Sequence, residues 1–302
     1  MSPISFNYNL RLPTLGGLQF WGDVHHFRGW RIQQHIYSKH YRLLDPKDVR
    51  HAWGTREQCF ATLGQIRSHR RLAPLTGQAV ILVHGIIRSS KSFEAMQTQL
   101  AMSGYLPVPF DYPSTRVSIP ESAAFLRQVI AGLDGVAEIN FVVHSMGGLI
   151  VRSYLQQTAD NPDPRLHRMV MLGVPNLGAR MANLVQANAI YQALYGPAGQ
   201  QLIEAATGLI ASLPTPHFEF AVIAGAKGTS QGFNPLIPGD DDGVVTVEST
   251  MLPGASDSLK INCFHSLLPA NPEIIAATSR FLMHGSLHSD GRREPVAVPT
   301  YR

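Results

Sequence analysis

From position 79 onward, short runs rich in apolar and β-branched residues alternate with longer amphipathic stretches. The runs at 79–83, 106–110, 138–143, 169–172, 218–223 and 259–264 predict strands, and the largely apolar character of most of them suits strands covered on both faces. Between them, 92–102, 121–133 and 149–157 read as helices, and 271–283 closes the series with Asn271 as cap and Pro272 at its first helical position. Strands alternating with helices in this way predict a mostly parallel sheet joined by crossover helices, the α/β class.

The first 75 residues lack that alternation and are rich in Arg, His, Trp and Tyr. One element stands out: Thr55 followed by Gln58 predicts a capping box opening a helix that runs to about 68. A segment of this polarity makes a marginal core alone, so 1–75 is expected to pack on a catalytic domain at 76–285. The remainder, 286–302, contains Pro, Ser and Arg and is expected to be a poorly ordered tail. The chain is 44% hydrophobic and 15% charged with net charge +4, enough apolar material for one sizeable core. Eleven Lys or Arg against four Asp or Glu fall in 1–75, so the basic excess belongs to the front. It suits solvated surface or contact with an anionic lipid surface; nothing points to nucleic acid. Cys59 and Cys263 match no metal-ligand spacing and read as buried or free thiols. With no signal-like start and no apolar run long enough to span a bilayer, a cytoplasmic protein is expected.

The segment INFVVHSMGGLIVR at 139–152 reads as a buried strand turning sharply into a helix, with Ser145 at the turn. Such an elbow lifts a serine hydroxyl clear of the sheet and aims the helix N-terminus at the same spot. Gly147 and Gly148 fit places where a side chain would collide with neighbouring backbone. The segment resembles the α/β-hydrolase esterases and lipases, whose elbow is usually Gly-x-Ser-x-Gly and often His-Ser-Met-Gly-Gly; the first glycine is here Val143.

That resemblance implies an α/β-hydrolase fold with Ser145 as nucleophile and a second set of residues in a set order. The oxyanion hole would use the N–H groups of Met146, after the nucleophile, and of Ile86, in VILVHGI at 80–86, which resembles the family's oxyanion loop. The acid and then the base follow the serine along the chain. Among later histidines, His265 follows a strand and precedes the last helix, whereas His167 and His217 precede their strands and His284 and His288 lie beyond the last helix. His144, adjacent to the serine, reads as a packing residue. For the acid, GDDDGVVTVES at 239–249 resembles the family's Asp-Gly-x-Val loop and points to Asp242, with Asp240 and Asp241 as competitors and a Ca²⁺-binding reading of the three carboxylates also open.

Between 176 and 213 only Arg180 and Glu204 are charged, far below usual composition. This stretch reads as a small helical lid or cap, or as two core helices, and Leu184, Leu194 and Leu202 are candidates to line an acyl pocket. No Walker loop, dinucleotide fingerprint or zinc spacing occurs, so no cofactor or metal is implied. The expected activity is hydrolysis of a hydrophobic small-molecule or lipid ester through a Ser-His-Asp triad and an acyl-enzyme, with a place in lipid metabolism. A thioesterase or acyltransferase, and a non-catalytic binding module on the same fold, are the alternatives; oligomeric state is left open.

Overall fold

A computed structural model describes residues 12–13, 19–177 and 208–298. The six expected strands are present as β6 (Gly77–Val83), β7 (Leu106–Phe110), β8 (Val136–His144), β9 (Leu166–Leu172), β10 (Glu219–Ala226) and β11 (Asp257–Asn262). They form one sheet in the order β11-β10-β9-β8-β6-β7, and every pairing is parallel. Alternate residues of β6 show why its run is wholly apolar. Ala79, Ile81 and Val83 join a core on one face with α3 (Ile119–Ala131) and α4 (Met146–Gln157). Val80 and Leu82 join a core on the other face with α2 (Glu94–Met102) and α5 (Pro272–His284). Both faces are thus buried under helices, the arrangement parallel strands require. Ser118 caps α3 in a capping box with Glu121, and Asn271 caps α5 by accepting from the Glu273 and Ile274 N–H groups.

The front segment is more structured than its sequence pattern suggests. Besides α1 (Arg56–His69), whose Thr55–Gln58 capping box is present, it carries an antiparallel five-stranded sheet. Its strands are β1 (Leu12–Pro13), β2 (Trp21–Phe27), β3 (Trp30–His35), β4 (Tyr41–Leu44) and β5 (Val49–Gly54), in the order β1-β5-β4-β3-β2. Val24, Phe27, Trp30, Ile32 and Leu43 enter the same apolar core as α3 and α4. The opposite face of this sheet is buried too, and its polar residues Asp23, Arg31, Gln33 and Arg42 bond to one another and to their surroundings. Gln33 donates to Asp23 at 2.7 Å, and Arg42 donates to Gln33 at 2.6 and 2.8 Å.

The tail also departs from expectation. Asp257, fully buried at the start of β11, accepts from the N–H groups of Leu287 at 2.6 Å and Glu294 at 2.8 Å. Val296 exchanges backbone hydrogen bonds with Gly254 and Ala255. Those bonds hold 286–296 along β11. At the opposite edge, β7 carries Pro107 and Pro109, which have no N–H to offer, and Asp23 bonds across to Asp111 just beyond it. Among the described residues no helix is long and apolar enough to cross a membrane.

Several buried histidines make stability depend on pH. Burial lowers the His26 pKa to about 3 and that of His25 to about 4, and pushes that of His144 well below its usual value. Among the described residues neither ring nitrogen of His26 has a hydrogen-bond partner. As pH falls below about 6.5, the unfolded chain binds protons that these rings refuse in the folded state, so their contribution to stability is lost on acidification. Burial raises the Asp23 carboxyl and opposes this, but as one group against three. The melting temperature is therefore expected to be lower at pH 5 than at pH 7; equal or higher values at pH 5 would contradict the assignment of neutral buried rings.

Candidate active site

The strand β8 passes into α4 through Ser145, whose φ of 53° and ψ of −129° lie outside the regions open to an L-residue at low cost. A conformation of this kind costs about 1–3 kcal/mol and persists only where its surroundings enforce it. Here the Ser145 N–H donates to Leu172 at the end of β9 (2.9 Å), and its carbonyl accepts from Gly148 (3.1 Å). The hydroxyl makes no cap bond to α4. Glycine is enforced by close packing nearby. A Cβ at Gly147 would lie 2.3 Å from the Val83 carbonyl oxygen, and one at Gly148 would lie 2.5 Å from Val174. Val143, in the place of the usual first glycine, is buried in register with Val83 and Met171 and contributes to the core.

Past β6 the chain turns at His84 and Gly85 into a loop through Ile86 and Ile87. A Cβ at Gly85 would lie 3.0 Å from that of Ser145, so the loop passes directly against the elbow. Tyr112 donates its hydroxyl to the His84 carbonyl at 2.6 Å, and the Ile87 N–H donates to the Ser114 hydroxyl at 3.0 Å. Among the described residues the Ile86 N–H has no acceptor. The Met146 N–H, first in α4, has none inside its own helix.

The three aspartates at 240–242 have different partners. Asp240 accepts from the Lys227 and Gly228 N–H groups, and Asp241 accepts from those of Asn234 and Gly243. Asp242 alone of the three meets a histidine: its Oδ2 lies 2.7 Å from His265 Nδ1. Its Oδ1 accepts from Val244 at 3.0 Å and Val245 at 2.7 Å, and its carbonyl accepts the His265 N–H at 2.8 Å. A carboxylate at Nδ1 selects the tautomer with the proton on Nδ1 and leaves Nε2 with a free lone pair. The three carboxylates face different partners, and among the described residues no group of three or more His, Cys, Asp or Glu converges as metal ligands.

Two contributions were not visible in the sequence. The His144 ring faces that of His265 with centroids 4.7 Å apart, and its Nε2 bonds to the His265 carbonyl at 3.0 Å. It is held neutral by burial, so it ties down His265 without adding a fixed charge. Gly173, at φ 55°, ends β9 beneath the pair: a Cβ there would lie 3.1 Å from both Asp242 Oδ2 and His265 Nδ1. Its sequence signal was the resemblance of GVPNLG at 173–178 to a loop that lipases place near their site, which pointed to an acyl-binding role rather than to this contact with Asp242 and His265. Among the described residues the Ser145 hydroxyl has no hydrogen-bond partner, so it is not bonded to His265.

Leu184, Leu194 and Leu202 lie outside the described residues, as does most of 176–213. Its two flanks are joined through buried Arg152 on α4, which donates to the Asn176 carbonyl on one side and to those of Leu213 and Pro214 on the other.

The chain matches the family described as Domain of unknown function (DUF7379) over residues 44–212. No curated protein matches it. Among solved structures it is similar to the Bacillus licheniformis lipase BlEst2 in mature form, with TM-score 0.52 and 19% identity over 71% of this chain and 94% of that one. The propeptide form of the same lipase gives TM-score 0.54 and 21% identity over 76% of this chain and 53% of that one. At such identity the likeness establishes architecture alone. With the six-stranded parallel sheet and its flanking helices, these matches make the chain a member of the DUF7379 family built on an α/β-hydrolase fold.

Proposed function

We propose that this protein is a serine hydrolase of carboxylic esters, with Ser145 as nucleophile, His265 as base and Asp242 as the acid that orients it. The observation that carries the reading is the 2.7 Å approach of His265 Nδ1 to a fully bonded, buried Asp242, at the sheet edge where the strained Ser145 stands. His265 Nε2 takes the Ser145 proton as Oγ attacks the ester carbonyl, and Asp242 stabilises the imidazolium that results. Negative charge on the former carbonyl oxygen is met by the Ile86 and Met146 N–H groups. The tetrahedral intermediate collapses as His265 returns its proton to the leaving alcohol. Water, deprotonated by the same imidazole, then attacks the acyl-enzyme; collapse releases the acid and restores Ser145. Catalytic hydrogen bonds are often long before substrate binds, which accommodates the unbonded hydroxyl.

A hydrophobic acyl group suits the apolar side chains exposed around the site, among them Ile87, Leu177, Phe264 and Leu267, and the scarcity of charge between 176 and 213. The test is a fluorophosphonate probe together with p-nitrophenyl esters of increasing chain length. Wild-type protein is expected to gain one covalent adduct and to release p-nitrophenol, and Ser145→Ala to do neither. A folded wild-type protein inert to both would sink the proposal and favour a binding module. Faster turnover of thioesters, or transfer to an added alcohol in preference to water, would reassign the class while keeping the triad.

A further inference from the structure

The front sheet touches the rest of the molecule at the place where the proposed oxyanion loop is anchored. Loop 84–90 is gripped from one side by the five residues that follow β7. Besides the Tyr112 and Ser114 bonds to His84 and Ile87, Asp111 accepts from the Ser90 N–H at 2.7 Å and from its hydroxyl at 2.9 Å. These anchors take the His84 carbonyl before Ile86 and the N–H groups of Ile87 and Ser90 after it. Ile86 is left between them with its N–H unclaimed among the described residues. Ile87 has φ 56°, a left-handed conformation that a β-branched residue adopts only under external constraint.

Residues 111–115 are in turn held by the front segment. Asp23 donates its N–H to the Asp111 carbonyl at 2.9 Å and accepts the Asp111 N–H on its carboxylate at 2.8 Å. Buried Arg31 forks between Asp111 and Asp48. Gln19 Oε1 accepts from the Thr115 N–H at 3.0 Å and from its hydroxyl, and Gln19 Nε2 lies 3.4 Å from the Ser114 hydroxyl. If adhesion were the only requirement, apolar side chains would serve better than a buried ion pair, whose desolvation offsets most of its attraction. A guanidinium fork fixes direction as well as distance.

We propose that the front sheet is a positioning element for the oxyanion loop, with Arg31 acting through Asp111 and Gln19 acting through Ser114 to aim the Ile86 N–H at the reacting carbonyl. This rests on the reading of the chain as a serine hydrolase with Ile86 as donor. Neither Arg31 nor Gln19 touches substrate in this account; both are positioning residues.

The experiment compares wild type, Gln19→Ala, Arg31→Lys and, as a control, Arg28→Ala, whose guanidinium bonds elsewhere, to the Ala73 and Pro74 carbonyls. Gln19 is only half-buried and Arg31→Lys keeps the charge, so both variants are expected to fold. Two readouts are taken: kcat and KM on a p-nitrophenyl ester, and amide hydrogen exchange of segments 84–90 and 139–150. In both variants kcat should fall at least fivefold with KM within twofold of wild type, the signature of weakening an interaction that forms only in the transition state. Exchange in 84–90 should quicken about tenfold with 139–150 unchanged, and Arg28→Ala should match wild type in both readouts. An active wild type whose two variants keep kcat, or lose it with no change in exchange of 84–90, overturns the inference and leaves the hydrolase reading standing. A folded, inert wild type removes that reading, and this inference with it.

Discussion

Asp242→Asn is expected to lower kcat on an activated ester by about 10⁴-fold, the size of effect seen when the orienting acid of a serine-histidine pair becomes an amide. The amide keeps the shape of the carboxylate, and its oxygen still accepts from the Val244 and Val245 N–H groups. The nitrogen then sits 2.7 Å from His265 Nδ1, where it can only donate. That forces the other tautomer, with the proton on Nε2, and removes the lone pair needed to accept the Ser145 proton. The fold should be indifferent to this change. Steady-state kinetics with a circular dichroism spectrum matching wild type check the claim, and a loss of less than tenfold would mean that Asp242 does not orient the base. Asp240→Asn, whose carboxylate only tethers the Lys227–Gly228 backbone, should stay within threefold of wild type.

Gly147→Ala should damage both stability and chemistry. The added methyl would sit 2.3 Å from the Val83 carbonyl oxygen and 2.8 Å from that of His84. Both are backbone atoms leading into the oxyanion loop, so no side-chain rotation relieves the clash. The start of α4 must move away from β6, at a cost of about 3 kcal/mol or more by the scale of overpacked cores. In a chain of this size that is a fall in melting temperature of roughly 6–12 °C. The same displacement carries Ser145 and the Met146 N–H away from the loop, so fluorophosphonate labelling should slow at least 100-fold. Thermal unfolding and labelling rate measure the two effects separately; a variant that melts and labels like wild type would show that the elbow has slack that its packing does not suggest.

The catalytic sheet was readable because strands buried on both faces leave uninterrupted apolar runs, as at Val80, Ile81, Leu82 and Val83. In a parallel sheet every strand ends on the same side, so placing Ser145, Asp242 and His265 after their strands was enough to put them at one edge. The front sheet was not readable, because Asp23, His26, Arg31, Gln33 and Arg42, on the face opposite Ile32 and Leu43, are polar like a solvated face and yet buried. Four of these five satisfy themselves through partners that are remote in sequence or on a neighbouring strand. Composition misjudged the tail for a similar reason: what holds 286–296 is the buried Asp257 carboxylate, some 30 residues earlier in the chain. The bond from His144 to the base exists only once β8 and the loop after β11 meet, and no local pattern announces it.

The margins of the large sheet differ: the β7 edge is closed by its paired prolines and the Asp23 bridge beyond it, whereas at the other edge, among the described residues, the returning tail is bonded only against the start of β11. An open margin is a row of unspent donors and acceptors on which a foreign strand can nucleate. At its β7 margin the large sheet offers little such template, so a strand added there would have to be held by side-chain surfaces rather than by backbone.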